Sequence, residues 1–174
     1  MDTAELKAAQ APLKQRYRDD PGAAIVTLRA QGSIGDGVTC SVETGRALVK
    51  AGLHPATGGA GMAVCSGDML LQALVACAGV TLNAVATSLG LAVRDARLFA
   101  EGDLDFRGTL GVSKEAAVGF SAIRLSIEVE GDLSDEQLAT LLKLTERYCV
   151  VYQTLRSSPP ATVTIARPTG RPVK

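Results

Sequence analysis

The central segment of the chain is apolar over a length that suits a buried helix. No charged side chain lies between Asp68 and Gly90, and leucine, alanine and valine dominate the sequence there. Ser66 or Asp68 is suited to cap the start of a helix, and Gly90 follows its expected end. The segment lacks a polar stripe, so we predict a core helix that is buried on most sides. Residues 69–82 are apolar apart from Gln72, Cys77 and Thr81, and this run falls short of a membrane span.

Composition restricts the partners that such a chain can have. The 174 residues suffice for one domain with a substantial core, and 47% of them are hydrophobic, which excludes global disorder. Lys+Arg and Asp+Glu each number 18, so the net charge is zero. The chain therefore has no charge excess to attract nucleic acid or an anionic membrane, and no tryptophan for base stacking. A neutral, apolar chain tends to associate, which favours an oligomer.

The first twenty residues are charged throughout and lack the apolar stretch of a signal peptide. We therefore expect a cytoplasmic protein without membrane contact. Structural disulfides are rare in that compartment, so the cysteines are expected to serve packing, metal binding or redox chemistry. The four cysteines are Cys40, Cys65, Cys77 and Cys149.

The rest of the chain alternates between strand-like and helix-like patterns. Residues 46–53 fit either a short strand or a helical turn. A capping box from Ser134 to Gln137 opens a second core helix that runs to Leu155. The elements together predict an α+β fold with an antiparallel sheet packed on two core helices. The other predicted elements are a polar helix over 3–18, strands over 24–31 and 38–43 with a turn at 32–37, strands over 95–107 and 119–130, and a final strand over 161–165.

Two cysteines lie on the apolar faces of the two core helices, Cys77 in the first and Cys149 in the second. An isolated buried cysteine usually serves as a small hydrophobic side chain. Two such cysteines, one on each helix, would instead form a thiol–disulfide pair if they meet in space. A reactive thiol must ionise, and burial opposes this. Cys77 lies about two and a half turns from the start of its own helix, so a cation or a hydrogen-bond network would have to come from elsewhere. The stripe predicted to be buried in the second helix comprises Leu138, Leu141, Leu142, Thr145, Tyr148 and Cys149.

Two sequence runs around these cysteines resemble a known family. The run GDMLLQALVACAGVTL over residues 67–82 looks like the central helix of the OsmC/Ohr family (osmotically induced protein / organic hydroperoxide resistance). The run ERYCVVYQTL over 146–155 is similar to that family's second cysteine motif. The order of strands and helices over 23–165 also matches. The resemblance implies an OsmC-like domain over residues 23–167, with an N-terminal helical extension over 1–22 and a C-terminal tail over 168–174.

The resemblance implies a thiol-dependent peroxidase that reduces organic hydroperoxides, with hydrogen peroxide as a further candidate substrate. Cys77 would be the attacking thiolate and become a sulfenic acid, and Cys149 would be the resolving thiol that condenses with it to a disulfide. An external dithiol, with lipoyl-bearing carriers as candidates, would reduce that disulfide. The family also implies an intertwined homodimer with active sites at the subunit interface, and neither a metal nor an organic cofactor.

The sequence departs from the family pattern at three points. Gly67 stands where the family commonly has an acidic residue, and Asp68, nine residues before Cys77, is turned through about 900° and thus lies on the opposite helix face. The loop over 32–37 lacks the family's activating arginine. Val150 replaces the proline that usually follows the second cysteine. The source of activation for Cys77 is thus left open.

The other two cysteines, Cys40 and Cys65, are expected to have less specific roles. Cys40 alternates with valines in a predicted strand and is expected to face the core. Cys65 and His54 flank a glycine-rich loop, where Cys65 is an alternative resolving thiol. A metal site there would need two more ligands, which the spacing does not offer. The alternative to a peroxidase is a non-catalytic or weakly catalytic OsmC-like dimer that binds a small hydrophobic ligand or senses redox state.

Overall fold

The structure is a computed structural model. It describes residues 2–5, 8, 10, 11, 15, 19, 32–35, 39–43, 48–59, 61–111 and 113–166, with the side chains before residue 49 described only in the N-terminal segment. The strand predicted over 24–31, both predicted domain boundaries and the side chain of Cys40 lie outside this part. Residues 3–5 are helical, and the Thr3 hydroxyl donates a hydrogen bond to the Thr87 carbonyl at 2.9 Å.

The first half of the described chain forms a four-stranded sheet. Its strands are β1 (Gly32–Gly35), β2 (Thr39–Glu43), β3 (Leu48–Gly52) and β4 (Val64–Cys65), in that spatial order. The pairs β1–β2 and β2–β3 are antiparallel, and β3–β4 is parallel. The predicted turn at 32–37 is wrong over residues 32–35, because these residues form β1. The ambiguous segment at 46–53 contains strand β3.

The second sheet is a long two-stranded ribbon. β5 (Val93–Leu104) and β6 (Phe120–Gly131) pair antiparallel, with Leu98 opposite Ile127. Burial alternates along both strands, which confirms the predicted pattern of one apolar and one wet face. A short helix, α2 (Phe106–Thr109), follows β5 in the connection between them.

The predicted central helix is present as α1 (Ser66–Leu89). Gly90 ends it in the left-handed conformation, with φ of 67°, and its N–H bonds to the carbonyls of Ala86 and Thr87. The predicted cap is wrong: Cys65 occupies the N-cap position, and it makes no side-chain capping bond. The start of α1 is instead fixed by β4, which runs directly into it.

Helix α1 is not buried on most sides in the single chain. Its buried residues are Leu74, Ala78, Leu82, Val85 and Ala86, which pack in two core clusters against the β5–β6 ribbon and the C-terminal helices. No described element covers the opposite face, and Val80 is 74% exposed. α1 has 24 residues, and an 18-residue window within it has a mean hydropathy of 1.8, so by length and composition alone it could cross a membrane, a test that the core helix of a soluble protein also passes.

The second core helix is two helices rather than one. α3 (Asp135–Tyr148) begins at the predicted capping box on Ser134, and α4 (Val150–Arg156) follows after a break at Cys149. The predicted stripe is confirmed only for Leu141, Thr145 and Cys149, which are buried. The other three residues of the stripe, Leu138, Leu142 and Tyr148, are exposed, because no element in the described part of the chain covers that side of α3.

The predicted final strand is absent. Residues 158–165 form no strand, and Val163 and Ile165 are exposed, whereas Ala166 makes an isolated bridge. Among the described residues no strand lies alongside this segment, and alternation of apolar residues alone does not form a ladder. The mixed α+β fold, with antiparallel strands packed on core helices, is confirmed.

Candidate active site

Cys77 lies in the middle of α1, on the edge of its buried face. Its side chain is half-buried and packs against a cluster of buried residues formed by Leu74, Ala78 and Cys149. The Thr81 hydroxyl, one turn further along α1, donates a hydrogen bond to the Cys77 carbonyl at 2.8 Å. The helix therefore presents the sulfur toward the C-terminal helices rather than to open solvent.

Cys149 occupies the break between α3 and α4 and is 1% exposed. Its N–H closes the last turn of α3 on the Thr145 carbonyl at 2.9 Å, and its carbonyl accepts the first bond of α4 from the Gln153 N–H at 2.9 Å. Its own backbone is extended, with φ of −72° and ψ of 106°. The break leaves the first peptide N–H groups of α4 without partners inside the helix, as at any helix start.

The break brings Cys149 and the start of α4 onto Cys77. Cys77 packs against the buried Cys149, and Val151 and Tyr152 of α4 belong to the same cluster. Burial raises the pKa of the Cys77 thiol, but the backbone of Val151 and Val150, the Cys149 side chain and the Thr81 hydroxyl together lower it by more, so that its pKa lies below the ordinary value. These polar groups thus favour the thiolate of Cys77.

The pKa of Cys149 is shifted in the opposite direction. Burial raises it most, the Tyr152 N–H lowers it, and the neighbouring Cys77 sulfur raises it again, so that the net pKa lies above the ordinary value. Cys149 therefore keeps its proton when Cys77 loses one. Cys77 is therefore the thiol of the pair that ionises more readily, as the attacking thiol of a thiol–disulfide reaction must.

No charged side chain of the described residues contributes to the pKa of Cys77. Asp68 is exposed and lines a surface cleft with His54 and Leu71, away from the thiol pair. Arg29 and Arg46, which are near the family's arginine loop in sequence, lie outside the described part of the chain.

Cys65 and His54 lie apart from the thiol pair. Both line a cleft of about 370 Å³ together with Phe106 and Phe120. The His54 ring stacks on Phe106 with centroids 5.0 Å apart, and its Nδ1 accepts a hydrogen bond from the Ala56 N–H at 3.1 Å. Within the described residues no group of three or more potential ligands is arranged to hold a metal ion.

Sequence reasoning missed Thr81 and the peptide groups of Val150 and Val151. Thr81 follows Cys77 by four residues and therefore lies on the same helix face, a spacing that was available as a signal. A peptide N–H has no such signal, because every residue except proline carries one.

The fold resembles several solved structures. The OsmC like protein from Mycoplasma pneumoniae aligns with a TM-score of 0.65 at 14% identity, over 76% of this chain and 89% of that one. An organic hydroperoxide resistance protein from Elizabethkingia anophelis aligns with a TM-score of 0.62 at 15% identity, over 78% and 91% of the two chains. The organic hydroperoxide resistance protein OsmC from Legionella pneumophila aligns with a TM-score of 0.60 at 18% identity, over 77% and 92%.

No match was found among curated proteins. The family model for OsmC-like protein matches residues 58–164, which is more than half of the chain and includes both Cys77 and Cys149. The match agrees with the fold of the solved structures and with the order of the two cysteine-bearing segments. The chain belongs to the OsmC-like protein family.

Proposed function

We propose that this protein is a thiol-dependent peroxidase that reduces organic hydroperoxides, with Cys77 as the attacking thiolate and Cys149 as the resolving thiol. The observation that carries the proposal is the packing of Cys77 against the buried Cys149, in surroundings that lower the pKa of Cys77 and raise that of Cys149. Its family membership and its structural likeness to organic hydroperoxide resistance proteins agree with this chemistry.

The reaction has three steps. The Cys77 thiolate attacks the terminal oxygen of the hydroperoxide, the O–O bond breaks, and the departing alkoxide takes up a proton to leave as an alcohol. The Cys149 sulfur then attacks the sulfenic acid on Cys77, so that an S–S bond forms and water leaves. Finally, an external dithiol reduces the disulfide by two successive exchanges and is itself oxidised to a disulfide. Lipoyl-bearing dithiols are the candidate reductants, and the reaction needs no metal or organic cofactor.

We further propose that the protein acts as an intertwined homodimer in the cytoplasm. The support is the uncovered apolar face of α1, where Leu70 and Val80 are exposed, together with the exposed apolar side chains of α3 and of residues 163–165. Exposed apolar surface of this extent is typical of a protein interface. A second subunit over this face would also enclose the half-buried Cys77.

The experiment that tests the activity is stopped-flow measurement of peroxide consumption with a dithiol reductant. Tert-butyl hydroperoxide should be consumed faster than hydrogen peroxide. Cys77→Ser should abolish consumption and Cys149→Ser should stop turnover after one equivalent, whereas Cys65→Ser, as a matched control, should leave it unchanged. Consumption that persists in Cys77→Ser, with an intact fold, would contradict the assigned role.

A second candidate function is that of a weakly catalytic dimer that binds a small hydrophobic ligand or senses redox state. It is favoured by the absence of a cation from the described surroundings of Cys77 and by an apolar cleft of about 310 Å³ between α1, β6 and α3. Slow alkylation of Cys77 at all pH values up to about 9 would support this function over the peroxidase.

A further inference from the structure

The break between α3 and α4 has no cause in the sequence immediately around it. Neither proline nor glycine occurs between Ser134 and Arg156. The two valines that follow Cys149 are β-branched, which lowers helix propensity only slightly. A sharp interruption of a helix normally has an identifiable cause. A contact of the folded chain must therefore keep α3 from continuing into α4.

The break leaves one carbonyl at the end of α3 without its usual partner. In a continuous helix the Glu146 carbonyl would accept a hydrogen bond from the N–H of Val150, four residues further on. The Cys149 N–H still bonds to the Thr145 carbonyl at 2.9 Å, but the ψ of 106° at Cys149 turns the next peptide out of the helix. In the described part of the chain no backbone hydrogen bond joins Val150 to the Glu146 carbonyl. A carbonyl in this position needs another donor.

The side chain of Gln153 supplies that donor. Its Nε2 donates to the Glu146 carbonyl at 2.7 Å, and its own backbone N–H donates to the Cys149 carbonyl at 2.9 Å. One residue of α4 thus bonds to the last turn of α3 and to the residue at the break. A weaker link runs parallel to it, since the Tyr152 hydroxyl lies 3.5 Å from a carboxylate oxygen of Glu146. Side-chain donors of this kind compete with the helical ladder for the backbone.

The break determines what α4 brings to Cys77. Cys149 is 1% exposed and packs with Cys77, and the residues Val151, Tyr152 and Leu155 of α4 pack against the same cluster. A helical ψ at Cys149 would extend α3 along its own axis and displace these three side chains from the cluster. The packing of the two cysteines therefore depends on the interruption of the helix.

We propose that Gln153 is a positioning residue that keeps α3 and α4 as two separate helices and thereby holds Cys149 against Cys77. The inference deepens the proposed peroxidase function and takes its catalytic meaning from it. Gln153 acts through the Glu146 carbonyl. Without its amide, the Val150 N–H can bond to that carbonyl, and the continuous helix that the local sequence permits becomes the competing conformation.

The test compares Gln153→Met, which keeps an unbranched side chain of similar length and removes the amide, with Thr154→Gly. Thr154 is exposed, so its replacement weakens α4 through helix propensity and leaves the Glu146 bond in place. The readout is the fraction of Cys77–Cys149 disulfide at equilibrium with reduced and oxidised glutathione, resolved by peptide mass spectrometry. Formation of this disulfide passes two electrons to oxidised glutathione, which leaves as two reduced molecules.

We expect the equilibrium constant for the Cys77–Cys149 disulfide to be about two- to tenfold lower in Gln153→Met than in the wild type, since one hydrogen bond no longer favours the paired geometry. Thr154→Gly should retain the wild-type constant. An unchanged constant in Gln153→Met would overturn the proposal. Equal losses in the two variants would also overturn it, because any weakening of α4 would then suffice.

Gln153→Ala covers the case in which Gln153→Met does not fold, because alanine favours the helix and also lacks the donor. The same loss is expected, and the Cα chemical shift of Cys149 should move toward helical values in the variant that folds. An unmoved shift would overturn the proposal. Neither readout requires peroxide. A moved shift and a lower constant in a protein that consumes no hydroperoxide would leave this inference intact and refute the peroxidase.

Discussion

The buried Cys149 packs against Cys77, although Cys77 lies in α1 and Cys149 lies in the break between α3 and α4. The contact depends on that break, which places Cys149 against the middle of α1. The two residues shift each other's pKa in opposite directions, because the Cys149 side chain lowers the pKa of Cys77 whereas the Cys77 side chain raises that of Cys149. Cys77 is thus the thiol that ionises more readily, and Cys149 is the thiol that tends to stay protonated.

The two thiols should therefore titrate in a fixed order. The pKa of Cys77 is lowered and that of Cys149 is raised, so as pH rises Cys77 ionises first and Cys149 only in more alkaline solution. We expect alkylation of Cys77 to reach half its maximal rate below the ordinary cysteine value of about 8.5, and that of Cys149 to do so above it. Site-resolved alkylation, measured between about pH 5 and about pH 10 in steps of about half a pH unit, gives the titration midpoints of both thiols. The reverse order would contradict the assigned directions.

Thr81→Val should make Cys77 a poorer thiolate. The substitution keeps the shape of the side chain and removes a hydroxyl that lowers the pKa of Cys77. We expect alkylation of Cys77 at neutral pH to slow by about two- to tenfold. Ser88→Ala, which removes an exposed hydroxyl near the end of the same helix, is the control and should leave the rate unchanged. Equal rates for the two variants would show that the Thr81 hydroxyl serves only the Cys77 carbonyl.

Thr145→Val should stabilise the fold. The Thr145 hydroxyl is buried, with 2% of the residue exposed, and has no hydrogen-bond partner among the described residues. Burial of an unpaired hydroxyl costs about 1–3 kcal/mol, and valine fills the same volume without that cost. Urea denaturation should show a free energy of unfolding about 1 kcal/mol higher. Thr140→Val, on the exposed side of α3, controls for helix propensity. A lower stability for Thr145→Val would reveal a partner for the hydroxyl.

Val80→Glu should disrupt association of the chain with itself. Val80 is 74% exposed on the apolar face of α1, and a carboxylate buried at an interface without a partner opposes its formation. Sedimentation velocity should show a dimer for the wild type and a monomer for the variant. Ser126→Glu, which places the same charge on an exposed residue on the wet face of β6, tests whether the effect is specific to α1. A wild-type monomer at micromolar concentration would contradict the proposed dimer.

Much of the fold follows from local patterns in the sequence. The alternation along β5 and β6, the apolar run of α1 and the capping box of α3 each mark an element that the structure contains. The break at Cys149 has no such signal, because the apolar periodicity of the second core helix continues through it. Proline and glycine, the usual markers of a helix end, are both absent there. The exposed part of α3 was mispredicted because an apolar stripe does not reveal whether its cover belongs to the same chain.

Only part of the candidate site could be predicted from the sequence. The positions of the two cysteines on the apolar faces of two predicted core helices, together with the family resemblance, paired Cys77 with Cys149, but the roles assigned to them stay predictions. The groups that lower the pKa of Cys77 could not be found by a search for charged residues, because they are the Cys149 side chain, the backbone of Val150 and Val151 and the Thr81 hydroxyl. Their positions depend on how α1 and α4 pack, which is a property of the tertiary structure.

The position of Cys149 at the junction of α3 and α4 also bears on how such a protein would survive an excess of its own oxidant. A sulfenic acid that waits for a distant thiol is exposed to a second molecule of peroxide, which converts it irreversibly to the sulfinic acid. With its partner already alongside, the oxidised Cys77 would be captured before that second encounter, without a loop having to unfold. Under the proposed chemistry, a high concentration of peroxide should therefore exhaust the external dithiol long before it overoxidises Cys77.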